Sequence, residues 1–180
     1  MSTLTVKELA APTGFDLKIA AGETLDLKSQ GTVTMPTGSV LQVVQGTELA
    51  STITNSSTSF ADMSISANIT PISTSSKILV KITGLQQNAR HSSSTTASVE
   101  TQLLRGSTVI YRPAITTSEY QQLISIGSAS SVDNWILQHY EWLDSPSSTS
   151  SLTYKLQGRM VTGNYIRCRS GHITLMEIAG

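Results

Sequence analysis

The sequence is poor in the residues from which most catalytic and metal centres are built. It holds one cysteine, Cys168, and three histidines. An internal disulfide and a cysteine-rich metal site are therefore excluded, and a buried apolar thiol is the expected role of Cys168. Charge is also scarce, at 13% of residues, about half of the usual ~25%. Twelve acidic and twelve basic residues cancel. With Lys and Arg scattered singly, the chain reads as lacking a field that would draw in a polyanion, so nucleic acid is not an expected partner. Aromatic residues make up 5%. The longest apolar runs, residues 77–84 and 135–143, are too short to cross a bilayer. The N-terminus lacks the basic-then-apolar pattern of a signal peptide. A protein made in a cytoplasm, with no membrane insertion, is expected.

In place of charge the chain has Ser and Thr, 52 of its 180 residues. Thr and the β-branched aliphatics favour strands and Ser clusters favour turns, so the bias points to an all-β protein. Three glycine-punctuated segments open the chain: residues 14–22, 23–31 and 32–38. Phe15, Leu17 and Ile19, then Leu25 and Leu27, then Val33 and Met35 alternate with polar neighbours, the period of a half-buried strand. A tract of this size, below roughly 40 residues, does not enclose a core without a disulfide, a metal or oligomerisation. With one cysteine and no ligand cluster, oligomerisation remains. Residues 1–38 read as an attachment and trimerisation segment of β rungs, a stalk, and residues 39–180 as a separate β-sandwich domain.

Beyond Gly38, candidate strands recur at the ~8–12-residue spacing of sandwiches and barrels. Residues 39–45 form a dense apolar strand, and Met63, Ile65, Ala67 and Ile69 alternate. Residues 70–76 read as a tight hairpin connection into residues 77–83, a strand apolar on both faces and so expected inside a sheet. Residues 86–97 show no periodicity and read as an exposed loop. Residues 98–105 and 108–112 read as strands about a turn at Gly106; residues 113–122 admit a short helical turn. Residues 134–143, if extended, send Trp135, Leu137, His139, Glu141 and Leu143 to one face and Ile136, Gln138, Tyr140 and Trp142 to the other. Residues 144–151 form a turn, residues 152–160 and 164–169 another pair of strands, and residues 173–178 a closing strand.

No catalytic residue is assigned. The chain has no GxSxG elbow, and His91, His139 and His172 lack any local signature of a nucleophile–base pair. His139 and Glu141, two apart on one face, could share a metal with Asp133 or His172; a packed histidine bonding its neighbour is the favoured reading. No metal or cofactor is expected. Gly106 and Gly127 lack the following lysine and helix of a phosphate-binding loop. Trp135, Tyr140 and Trp142, with His139 or Gln138 nearby, could stack on sugar rings, although a chain with so few large rings needs them for its core or a subunit interface. The loops at 86–97, 116–122 and 144–151 are better placed for recognition.

Residues 38–45 (GSVLQVVQ), 56–60 with 69–80 (ITPISTSSKILV), the DSPS turn at 144–147 before YKLQ at 154–157, and the terminal ITLMEIAG at 173–180 together resemble a family of bacteriophage virion proteins. These are frequent in phages of marine bacteria and cyanobacteria and are usually labelled tail fibre or structural protein. The resemblance covers most of residues 38–180, and the opening MSTLTVKELAAPTG also looks like the attachment segments of such proteins. It implies a homotrimer located in the virion, bound to other virion proteins through residues 1–38, with an outward-facing antiparallel, jelly-roll-like sandwich. A capsid decoration or head fibre is the alternative position on the particle, and recognition of a host surface glycan through the loops, with Trp135 or Trp142, is the alternative task for the same fold.

Overall fold

The computed structural model describes residue 21 and residues 35–91, 96–112, 122–125 and 132–180. The chain divides into two units, Met1–Thr34 and Met35–Gly180. Phe15, Leu17, Ile19, Leu25, Leu27 and Val33 lie outside the described residues; Met35 is described and exposed.

Eleven strands and no helix occur among the described residues. In chain order they are β1 (Val40–Gln45), β2 (Ile53–Asn55), β3 (Ala61–Ile69), β4 (Lys77–His91), β5 (Thr96–Arg105), β6 (Thr108–Tyr111), β7 (Gln122–Ser125), β8 (Val132–Asp144), β9 (Leu152–Thr162), β10 (Tyr165–Arg169) and β11 (His172–Ile178). The alternation in β3 works as its residues dictate: Met63, Ile65, Ala67 and Ile69 are buried and the residues between them exposed. All pairings are antiparallel. In the first sheet β8 borders β4, β4 borders β10 and β11, and these border β2 and β1. In the second the order is β3, β9, β5, with β6 and β7 sharing the far side of β5. The inner faces meet in one core that includes Ile78, Val80, Ile82 and Leu85 of β4, Ile173 and Leu175 of β11, and Leu103, Tyr154 and Leu156 of the opposite sheet.

The first sheet turns a corner halfway along its strands. β10 and β11 keep one continuous register with β4, from Tyr165 opposite Arg90 to Ile178 opposite Lys77. They are in effect one strand, interrupted where Ser170 (φ 49°) and Gly171 (φ 87°) take left-handed backbone conformations. Opposite them, Gly84 (φ 70°) sits in a bulge of β4 against β8. An inserted residue reverses which side chains face inward. Ile78, Val80 and Ile82 point to the core before Gly84, and Leu85, Gln87 and Ala89 after it. β11 buries Ile173 and Leu175, whereas β10 buries Ile166 and Cys168.

Two expectations are corrected. Residues 86–97 are not an exposed loop: all but residues 92–95, which are not described, belong to β4 and β5, and Gln87, Asn88 and Ala97 are fully buried. The stretch lacks apolar alternation because polar groups carry it. Asn88 Nδ2 donates to the Asn134 carbonyl (3.0 Å) and Arg90 donates to the Tyr165 hydroxyl (3.0 Å). Residues 70–76 are not a hairpin, because β3 and β4 lie in different sheets. The crossover is pinned by the buried Glu177, whose carboxylate accepts from the Ile72 amide (2.7 Å) and from Gln42 Nε2 (2.5 Å). The strands read at residues 152–160 and 164–169 are present as β9 and β10, which lie in opposite sheets. The turn at Gly106 between β5 and β6, the interior place of β4, and the strands β1, β3, β8 and β11 are as the sequence indicates.

Candidate functional site

Strand β8 separates the aromatic residues singled out in the sequence. Tyr140 points into the core, where its hydroxyl meets Thr101 Oγ1 at 2.6 Å; burial raises the phenol far above its usual range. Trp142, on the same strand face but at the rim, stacks on Tyr111 of the opposite sheet with centroids 4.9 Å apart, so this pair closes the edge of the sandwich. Trp135 lies on the outer face, and His139, also outward, is exposed. The four do not form one site. Glu141 pairs with Lys81 (3.0 Å) and His172 hydrogen-bonds Thr83 (3.1 Å). Among the described residues no group of three potential ligands could hold a metal. Cys168 is fully buried and its thiol is pushed up to about 12 by burial.

Directly opposed residues of an antiparallel pair share a face, so the register assigns the outer face of the first sheet. On the β11 side of the corner, Val43, Met176, Leu79 and Leu143 form an apolar row across four strands. Val43 is 56% and Leu143 49% exposed. On the β10 side the rows are polar and aromatic. Arg167 opposes Thr54 and Asn88, Asn88 opposes Trp135, and Arg169 opposes Gln86, which opposes Leu137. The guanidinium of Arg169 lies 3.9 Å from the centroid of the Trp135 ring, and its Nε donates to Gln86 Oε1 at 2.7 Å. The Tyr165 ring carries Arg167 at 4.1 Å and Arg90 at 5.9 Å. Beside Arg169 lies a shallow cleft of about 580 Å³, formed by residues 48–52 with Gln86 and Ser170.

The other three arginines are spent on buried carboxylates. Arg105 pairs with Asp144 at 2.7 Å, and Arg112 and Arg159 both hold Glu100 while lying over the Phe60 ring at 5.0 and 4.8 Å. Arg167 and Arg169 make no ion pair among the described residues. Beneath them, the buried Arg167 Nε and Asn88 Oδ1 lack a hydrogen-bond partner among those residues. Scattered singly in the sequence, three of the six arginines, Arg90, Arg167 and Arg169, thus converge on one face. A signal for this stands in the sequence, where Tyr165, Arg167 and Arg169 alternate with the apolar Ile166 and Cys168. No protein-family model matches the chain, and no curated protein matches it either.

Proposed function

We propose that the chain is a non-enzymatic structural protein of a bacteriophage particle: a homotrimeric fibre subunit attached through residues 1–38, with the sandwich facing outward. The observation that carries this reading is the apolar row of Val43, Met176, Leu79 and Leu143, a face on which the described residues leave Val43 and Leu143 exposed and that sister chains would cover. The resemblance of residues 38–180 to virion proteins supports the location.

The lane order supports a jelly roll. Counting β1 with β2, β6 with β7, and β10 with β11 as single lanes gives eight. The first sheet then reads first, eighth, third, sixth, and the second sheet second, seventh, fourth, fifth. This alternation is the one expected of the double Greek key of viral coat and lectin domains, an analogy of fold rather than of function. A decoration or head-fibre position is the second reading, with the same anchor and sandwich. A cryo-electron map of the encoding phage tests the proposal. A few copies at the tail identify a fibre and tens to hundreds on the head a decoration, whereas absence from the particle overturns both.

A further inference from the structure

The polar half of the same sheet face has a different chemistry from the apolar half. Arg167 and Arg169 stand two residues apart on one strand, so their stems rise ~6.6 Å from each other on the same side. Each guanidinium lies against an aromatic ring, and Arg169 is fixed further by Gln86. A guanidinium held against a ring in this way loses little freedom when its fork engages a planar or tetrahedral oxyanion. Neither has a carboxylate partner among the described residues, unlike Arg105, Arg112 and Arg159. The adjoining cleft offers Ser51, Thr52, Ser170 and Gln86, neutral donors and acceptors that suit hydroxyl groups. Glu48, which also lines the cleft, leaves it to hydroxyls rather than to acidic groups and, with the zero net charge, disfavours a uniform polyphosphate strand, which tracks a continuous basic groove.

We propose that this face, Arg167 and Arg169 backed by Tyr165 and Trp135, binds an anionic polysaccharide, its acidic groups on the arginines and its hydroxyls in the cleft at residues 48–52. The inference rests on the sandwich being the outward, recognising part of the particle, and binding by purified protein tests it apart from assembly. The full chain is titrated calorimetrically with polygalacturonate oligosaccharides, dextran sulfate, neutral dextran and oligo(dT), at low and at physiological salt. The two acidic glycans distinguish carboxylate from sulfate as the preferred anion; the proposal expects at least one to bind, weakening with salt, and dextran not to bind. Arg167→Gln with Arg169→Gln should lower affinity at least ~10-fold, the loss of charge-assisted hydrogen bonds, while Lys155→Gln on the other sheet leaves it unchanged. Arg169 is exposed, so Arg169→Gln alone provides a folded variant, checked by its thermal midpoint, with an intermediate loss. Silence toward both acidic glycans, or unaltered binding by the arginine variants, overturns the proposal. Tighter binding of oligo(dT) than of either glycan also overturns it and assigns the face to nucleic acid. A trimer that binds no glycan removes this inference and leaves the assembly reading standing; a monomer that binds does the reverse.

Discussion

Replacing Gly171 by alanine tests the corner of the first sheet, because two separable costs fall on that residue. Its φ of 87° lies where an L side chain is disfavoured by roughly 1–2 kcal/mol. A Cβ there would also stand 2.8 Å from the Leu85 Cα and 2.9 Å from the Leu85 nitrogen. These are backbone atoms inside a paired ladder and do not move aside cheaply, so overpacking adds about 1–3 kcal/mol. Across the lane, Gly84 supplies the control. It has a φ of 70°, but its Cβ would find nothing nearer than 3.7 Å, so Gly84→Ala carries the conformational cost without the clash. Both substitutions stiffen the unfolded chain alike. Gly171→Ala should therefore be less stable than Gly84→Ala by about 1–3 kcal/mol. For a urea slope of roughly 2 kcal/mol per molar, this separates the unfolding midpoints by on the order of 1 M with slopes unchanged. If the two variants unfold together, the close approach of Gly171 to Leu85 does not shape the sheet and the account of the corner fails.

Three further outcomes follow from buried groups. Asp144 is nearly buried and accepts from Arg105 (2.7 Å) and Tyr154 (2.7 Å); Asp144→Ala should cost about 3–5 kcal/mol by leaving Arg105 without its carboxylate, read by chemical denaturation. Burial would raise the pKa of Glu177, but the hydrogen bonds from the Ser76 and Gln42 side chains and from the Ile72 and Ser73 amides outweigh it and hold the carboxyl below its ordinary 4.5. The stability it contributes is thus complete above that value and is lost as pH falls through the lowered one, so Glu177→Gln should flatten the acid limb of a stability–pH curve; an unchanged limb contradicts the staple. Cys168 should resist iodoacetamide in native protein and react fully in denaturant, since its buried thiol is held protonated at neutral pH; prompt native labelling would show that β10 opens.

The fold was legible where one period runs through a whole strand. Met63 to Ile69 reads as a strand because every second residue is apolar and enters the core, as Ile173 and Leu175 do in the closing strand, where the buried Glu177 then takes the next inward place. Residues 86–91 were not legible, because the bulge at Gly84 reverses the phase of β4 just where its side chains turn polar. Alternation cannot be followed through an inserted residue. Which sheet a strand joins is equally hidden: the crossover at 70–76 resembles a hairpin connection in composition and differs only in where Glu177, more than a hundred residues away, receives it. The division of β8 into Trp135 and His139 on one side and Tyr140 and Trp142 on the other followed from period two alone. The arginine face did not, since Arg90 lay in the stretch read as loop and Arg167 and Arg169 gain significance only from the rings of Tyr165 and Trp135 beside them.

The proposal that this chain completes itself with its own copies is tested most directly by the mass of the purified full-length protein at micromolar concentration, measured by light scattering coupled to size exclusion. The account predicts three times the 19.2 kDa of one chain, falling to one chain in a folded Leu143→Asp variant whose charge sits in the apolar row. A folded wild-type monomer, or a trimer indifferent to charge at Leu143, would contradict it.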